Sequence, residues 1–364
     1  MTFQIFSLSK VQLFEDAQNA PLIFVLEKRE PAEGHRVKVE MVNRLEEWLS
    51  WEIEQEELPL YKGDPASPWL MAPPKVVLAM RKMQKAGPRL GDVFSVNMGV
   101  KTAANNIFFV KRFEVIDVPN IFLVTTEGGE KVRIEKELLR PLVRGKDVDA
   151  WHYRVEDYII WTHDDVKGDV REELPPYANE YFQNESVKRI LSRRDDYRRG
   201  QPLWIIFRVS RDKLRDKIAW QDIEKTIKAV YLPSEVTDKV LGRKKLIVDN
   251  TVYFVVVEDK RLAYALAAIL NSTPVRTYVA AYVMRTGAAY CHYKGWYMGV
   301  IPIPTPMRTL EHQELIQLSK RLHEIAGKDA EALSRLDEVV TGLYGLSKEE
   351  LETMKEFLEF FVAG

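Results

Sequence analysis

The sequence predicts an α+β chain, a mixed and mostly antiparallel sheet module with long loops, followed by a C-terminal helical tail. Three observations predict it. Short apolar runs such as LWIIFRV, KAVYLP and LIVDNTVYFVVV are separated by charged loops and not by regularly alternating helices, which favours antiparallel pairing over a βαβ succession. One continuous apolar helix, RLAYALAAILN, follows them. The chain then ends in amphipathic helical periods. At 364 residues, with 46% hydrophobic and 10% aromatic content, it can build two cores, or one large core with an appendage.

Residues 3–8 and 22–27 predict strands joined by the polar segment FEDAQNAP. The second run, LIFVLEK, has no partner of its own and implies a larger sheet. Residues 44–57, RLEEWLSWEIEQEE, set Leu45, Trp48, Leu49 and Ile53 at helical spacing and predict an acidic connector helix, closing a first segment at 1–58. Prolines and Gly63 mark a linker before a helix at 75–86, which Gly87 and Pro88 stop. Residues 96–110, VNMGVKTAANNIFFV, predict a hairpin with a polar loop, and Pro141 and Gly145 stop any helix beyond it. Further strands are expected at 155–161, 203–209, 228–233 and 246–257, with a basic helix at 185–194 and a buried one at 261–271. VIPIPTP is too rich in proline for a central strand and ends the second segment, 59–306. Helices at 311–325, 330–343 and 348–362 form the tail, 307–364.

The formal net charge is -1, yet Lys and Arg exceed Asp and Glu by about nine between Lys188 and Lys245, while residues 40–57 and the C-terminal end are acidic. A basic middle suits a one-sided anionic partner, and an unevenly charged solvated surface is the competing reading. A single cysteine, Cys291, excludes an internal disulfide framework and a thiolate zinc cluster. Apolar stretches fall far short of the ~20 residues of a membrane span. MTFQIFSLSK lacks the basic and apolar regions of a signal peptide, so the expected setting is the cytoplasm, away from membranes.

The loop in 96–110 carries Gly99, Lys101, Thr102, Asn105 and Asn106. Glycine permits a sharp strand exit, and Lys, Thr and Asn offer donors and acceptors to a phosphate or a base edge. A second set of cations, Arg193, Arg194, Arg198 and Arg199, precedes LWIIFRV, and Arg208, Arg211, Lys213 and Arg215 follow it. Arginine forks suit phosphates and guanine edges. Arg243, Lys244 and Lys245 follow Gly242 in a hairpin-like loop, and Arg285, Thr286, Tyr290, His292 and Lys294 mix donors and aromatics. Weaker arrangements are a nuclease set of Asp249, Glu258 and Lys260, His312 and His323 on a solvated helix, and the neighbours Cys291 and His292. Leu174-Pro175-Pro176-Tyr177 superficially resembles a methylase loop, but Leu174 cannot accept from an adenine amino group.

The order of GVKTAANNIFFV, LLRPLVRGKDVDAW, LPPYANEYF, ILSRRDDYRRGQPLW, KAVYLP, LIVDNTVYFVV, AAILNS and GVIPIP resembles the C-terminal specificity region of TaqI-type adenine DNA methyltransferases of restriction-modification systems. LDEVVTGLYGLSKEEL is similar to the closing helices of such enzymes, and FEDAQNAPLIFVLEK to the last strands of their methyltransferase domain. The resemblance implies that 1–58 is the end of a methyltransferase domain and 59–306 a DNA target-recognition domain. The family's cofactor glycines and Asn-Pro-Pro-Tyr loop have no counterpart here, so the expectation is a fragment or split subunit with no catalytic residue, cofactor or metal of its own. S-adenosylmethionine is then implied for a separate catalytic domain. The implied partners are double-stranded DNA, that methyltransferase domain or subunit, and a nuclease subunit. The implied DNA contacts are Lys101, Thr102, Asn105 and Asn106, then Arg144 and Lys146, with Arg208, Arg211, Arg243, Lys244, Lys245 and Arg285. The alternative is an interaction module that docks to a methylase or nuclease subunit without touching DNA.

Overall fold

The computed structural model describes residues 1–8, 21–44, 47–64, 66–286, 290–304 and 310–363. Its fold is α+β, with mixed sheets and three C-terminal helices, as the sequence predicts. Packing divides the chain into a terminal unit, Met1–Val96, Asp222–Ala229 and Tyr264–Gly364, and a central unit, Asn97–Gln221 and Val230–Ala263. The division expected at 58 and 306 follows chain order, whereas these units interleave.

In the terminal unit a four-stranded sheet runs in the order Leu22–Leu26, Thr2–Ser7, Arg36–Arg44, Glu47–Glu54. Its middle pair is parallel and its outer pairs antiparallel. The connector helix expected at 44–57 is thus a strand. Leu49, Trp51 and Ile53 alternate with exposed Ser50, Glu52 and Glu54, and pairing with Met41, Val39 and Val37 selects that two-residue period over the helical one. Leu45 lies outside the described residues, as do most of FEDAQNAP, Gly287 and the last two residues of VIPIPTP. The linker is held by Arg81, whose guanidinium donates to the carbonyls of Glu57, Pro59 and Leu60 at 3.0, 2.7 and 2.6 Å. The tail helices Leu310–Glu324, Ala330–Leu343 and Lys348–Val362 stand where their periodicity places them. Asp329 caps the second by accepting from Ala332, and Ser347 with Glu350 forms a reciprocal capping box on the third. His312 is buried and His323 donates from Nδ1 to the Ser319 carbonyl at 2.7 Å, so neither is the solvated histidine the sequence suggested.

The central unit is built on a six-stranded sheet in the order Ile247–Val248, Leu139–Val143, Asp157–Ile160, Phe109–Val115, Ile121–Thr126, Lys131–Glu135. Helices Pro176–Gln183 and Glu185–Leu191 belong to the same apolar core, which includes Phe108, Phe182, Trp161 and Ile206. In a second sheet Lys217–Gln221 lies antiparallel to Val252–Val256, with Ala219 opposite Phe254. A hairpin of Glu235–Asp238 and Gly242–Lys245 completes the unit. Two expectations fail here. The run 203–209 is no strand, since side chains satisfy part of its backbone and Phe207 keeps a single bridge to Lys101: Thr162 donates to the Trp204 carbonyl at 2.6 Å and the Ile206 amide to His163 Nε2 at 2.9 Å. The run 96–110 is no hairpin either, because Val96–Met98 and Phe109–Val115 lie in different sheets and a helical turn, Asn105–Phe108, stands between them.

Candidate nucleic-acid interface

Glycines set the position of the loop after Met98. A Cβ on Gly99 would fall 2.0 Å from the Asp249 carbonyl oxygen, so no side chain fits where these backbones meet. The Val100 amide donates to the Val248 carbonyl at 2.9 Å, and Lys101 exchanges two backbone hydrogen bonds with Phe207 at 3.0 and 2.8 Å. Each side of that bridge has a residue in the left-handed region, Ala103 at φ +53° and Arg208 at φ +61°. Among the expected contacts on this loop, Asn106 is exposed, Asn105 half-buried and Thr102 buried. Thr102 Oγ1 donates to Asn105 Oδ1 at 2.5 Å and accepts from the Ala104 amide at 3.2 Å, and so fastens the turn. Lys101 is ion-paired with Asp196, whose carboxyl that contact holds below the ordinary range.

Arg194 clips this loop to its neighbour. Buried to 6% exposure, it donates to the carbonyls of Leu191, Thr102, Ile205 and Leu203 at 3.1, 2.8, 2.8 and 2.6 Å. Its guanidinium carbon lies 4.7 Å from the Phe207 ring centre and 5.6 Å from that of Phe108. Burial lowers its pKa to about 10, which leaves it charged at neutral pH. The sequence showed Arg194 only as one of a basic group, because spacing cannot distinguish a buried arginine from its solvated neighbours.

Arg144 is held quite differently. It meets Glu127, Asp157 and Asp249 at 3.0, 3.3 and 3.5 Å, and lies 5.1 Å from the Phe109 ring centre. Burial opposes its charge, but Glu127, Asp249 and Asp157 outweigh burial and raise its pKa. Lys146 reaches Glu156 and Asp147 at 3.0 and 3.3 Å, and its pKa is also raised against the effect of burial. Burial pushes the Asp249 carboxyl up even though Thr251 and Arg144 contact it. Arg144 therefore braces three acidic segments, and Gly99 packs on the backbone of one of them.

Arg208 and Arg211 are exposed, with the Arg208 guanidinium against Met98 Sδ. Arg243 and Lys245 both pair with Glu235, while Lys244, whose pKa burial lowers, donates to the Lys136 carbonyl at 3.2 Å. These three lie on a paired strand and not in a loop. Arg285 belongs to the terminal unit, where it is buried, donates to the Phe361 carbonyl at 3.2 Å and stacks 3.7 Å from the Phe361 ring centre. At 8% exposure its guanidinium is directed at Phe361.

Asp249 is buried, whereas Glu258 is exposed and paired with Arg215, so the nuclease arrangement is not assembled; among the described residues no group of three or more His, Cys, Asp or Glu can hold a metal. Pro176 begins a helix whose Tyr177 and Ala178 amides donate to the Glu135 carboxylate at 2.8 and 3.0 Å, a structural use of the Leu174–Tyr177 motif. Cys291 is buried on a short strand, and His292 Nδ1 faces Asp222 at 3.4 Å. No helix among the described residues is long and apolar enough to cross a membrane.

Residues 140–303 match the TaqI-like C-terminal specificity domain. The type II methyltransferase M.BstVI of Geobacillus stearothermophilus is 22% identical over 318 residues, covering 82% of this chain and 48% of that protein. The fold is shared with the type IIL restriction-modification enzyme MmeI, solved in complex with DNA, at a TM-score of 0.56 and 11% identity, over 99% of this chain and 45% of that one. The type IIG restriction endonuclease BpuSI superposes at a TM-score of 0.45 with 12% identity, over 99% of this chain and 43% of that one. The chain thus spans about half the length of the proteins it matches.

Proposed function

We propose that this chain, which carries a TaqI-like specificity domain at residues 140–303, reads a DNA sequence for N6-adenine methylation within a cytoplasmic restriction-modification enzyme. The specificity-domain match is the observation that carries the reading. The central unit gives it a physical form. Exposed Arg208 and Arg211, with Lys101 and Lys146, contact phosphates and set register, while Asn105 and Asn106 approach base edges. Lys101 and Lys146 exchange partly exposed carboxylate partners for phosphate on binding. Arg243, Lys244 and Lys245 supply a second basic strand, and Arg144 acts mainly as a brace. S-adenosylmethionine and the transfer step belong to a methyltransferase domain or subunit, and a nuclease subunit is a further partner.

Binding of the full chain to a random-sequence duplex, followed by fluorescence anisotropy across a salt series, tests the reading. The expected result is affinity that falls steeply with salt and a slope that shrinks by about two in an Arg208→Ala, Arg211→Ala double variant. A second reading, docking to a methylase or nuclease subunit without DNA contact, is favoured by one feature of the terminal unit. Every residue of Leu22–Leu26 is apolar and exposed, at the edge of its sheet. Absence of duplex binding at low salt selects that reading.

A further inference from the structure

Beneath the exposed cations of the central unit, two lysines face one aromatic ring. Lys213 Nζ lies 5.0 Å from the Phe254 ring centre and Lys217 Nζ 5.5 Å from it. Lys213 sits on the turn Arg211–Leu214, is exposed by only 7%, and donates to Asn97 Oδ1 at 3.3 Å. Lys217 is fully buried, and among the described residues its Nζ has no hydrogen-bond partner. An ammonium is seldom left in such a place, because burial without a partner penalises the charged form. The groups that face the pair do not correct this. Asp212 and Asp216 attract, but Asp216 already accepts from Tyr231 Oη at 2.5 Å and the Ser234 amide at 2.8 Å. Arg208 opposes the charge on Lys213, and Lys245 and Lys213 oppose that on Lys217. The strand residues Asn97 and Met98 link the pair to the surface, since Asn97 holds Lys213 and Met98 touches Arg208.

We propose that Arg208, Asn97 and Lys213 form a seat for a backbone phosphodiester, and that filling it draws a proton from solvent onto the Lys213–Lys217 pair. The inference rests on the DNA-binding reading and adds to it a particular phosphate position and a proton linkage. A phosphodiester brings the negative charge that the pair lacks within the fold, so the charged form of the amines becomes favourable when DNA is bound. Burial lowers the free Lys213 amine to about 8 and the free Lys217 amine to about 7, where uptake is measurable near neutral pH.

The test is calorimetric titration of the full chain with a random-sequence duplex at pH 7.5, in two buffers of different ionisation enthalpy. The wild-type chain should take up roughly half a proton to one proton per seat, and its affinity should fall by about ten- to a hundredfold between pH 7 and 9. Lys217→Met, which puts an apolar side chain of similar length in a dry site, should remove about three quarters of the uptake, and Lys213→Met about a quarter. Binding without proton uptake, or with uptake unchanged in both variants, overturns the phosphate seat and leaves the DNA reading intact. Failure of the wild-type chain to bind duplex at all overturns both.

Discussion

Arg144 and Arg194 are both substantially buried arginines of the central unit, and the fold satisfies them by opposite means. Arg144 is met by three carboxylates, Arg194 by four backbone carbonyls and two rings. The first arrangement neutralises charge and joins strand ends. The second keeps a positive charge inside the protein while fixing two loops that share a single backbone bridge, Lys101 with Phe207. Lys213 and Lys217 extend the second arrangement, since neither has a carboxylate within ion-pair reach among the described residues. The lesson is that a basic residue near a candidate DNA surface can act as a brace, a clip or a contact, and only its partners tell which.

The largest effect is expected of Arg194→Ala. It orphans four buried carbonyls and should cost about 3–5 kcal/mol in denaturant unfolding, with amides of 203–207 losing hydrogen-exchange protection first. A loss below about 1 kcal/mol would mean that the clip is dispensable. Arg144→Met should cost less, about 2–4 kcal/mol, by leaving Asp249 without its cation, while Asp157 keeps Lys111 at 3.0 Å. Because burial raises the Asp249 carboxyl, protonation at acid pH relieves that variant, and the gap to wild type should narrow as pH falls toward 4.

Lys217→Met should have the opposite sign. The folded amine is lowered to about 7 from 10.5, so the unfolded chain binds the extra proton between those values and wild-type stability rises with pH across that window. Near neutral pH the variant should be more stable by about 1–3 kcal/mol, and its unfolding should lose most of that pH dependence. The smallest effect belongs to the surface strand. Arg243→Ala with Lys244→Ala should change stability by less than about 1 kcal/mol, while lowering the salt slope of duplex binding by about one.

Much of the fold was legible because its signals were local. The tail helices carry both a period and caps, and 348–362 begins where Ser347 and Glu350 close a capping box. The failures arose where distant partners decided. Residues 44–57 satisfy a helical period and a strand period together, and only the neighbouring strand Arg36–Arg44 selects between them. The run 203–209 reads as a strand in isolation, but Arg194, Thr162 and His163 satisfy its backbone from elsewhere. At the candidate site, the sequence marked the importance of Gly99 and the basic residues around Arg208. It could not show that Thr102 and Arg285 face inward, that Lys101 has Asp196 beside it, or that Lys213 and Lys217 share Phe254. Those facts depend on contacts between segments far apart in the chain, which leave no period or spacing to read.

Selection of the full chain against a random duplex pool, with sequencing of the retained fraction at low and physiological salt, tests target recognition most directly. Target recognition predicts enrichment of one short motif containing an adenine, weakened at physiological salt but still discernible. Retention of all sequences alike at both salts, or of none at either, would contradict it.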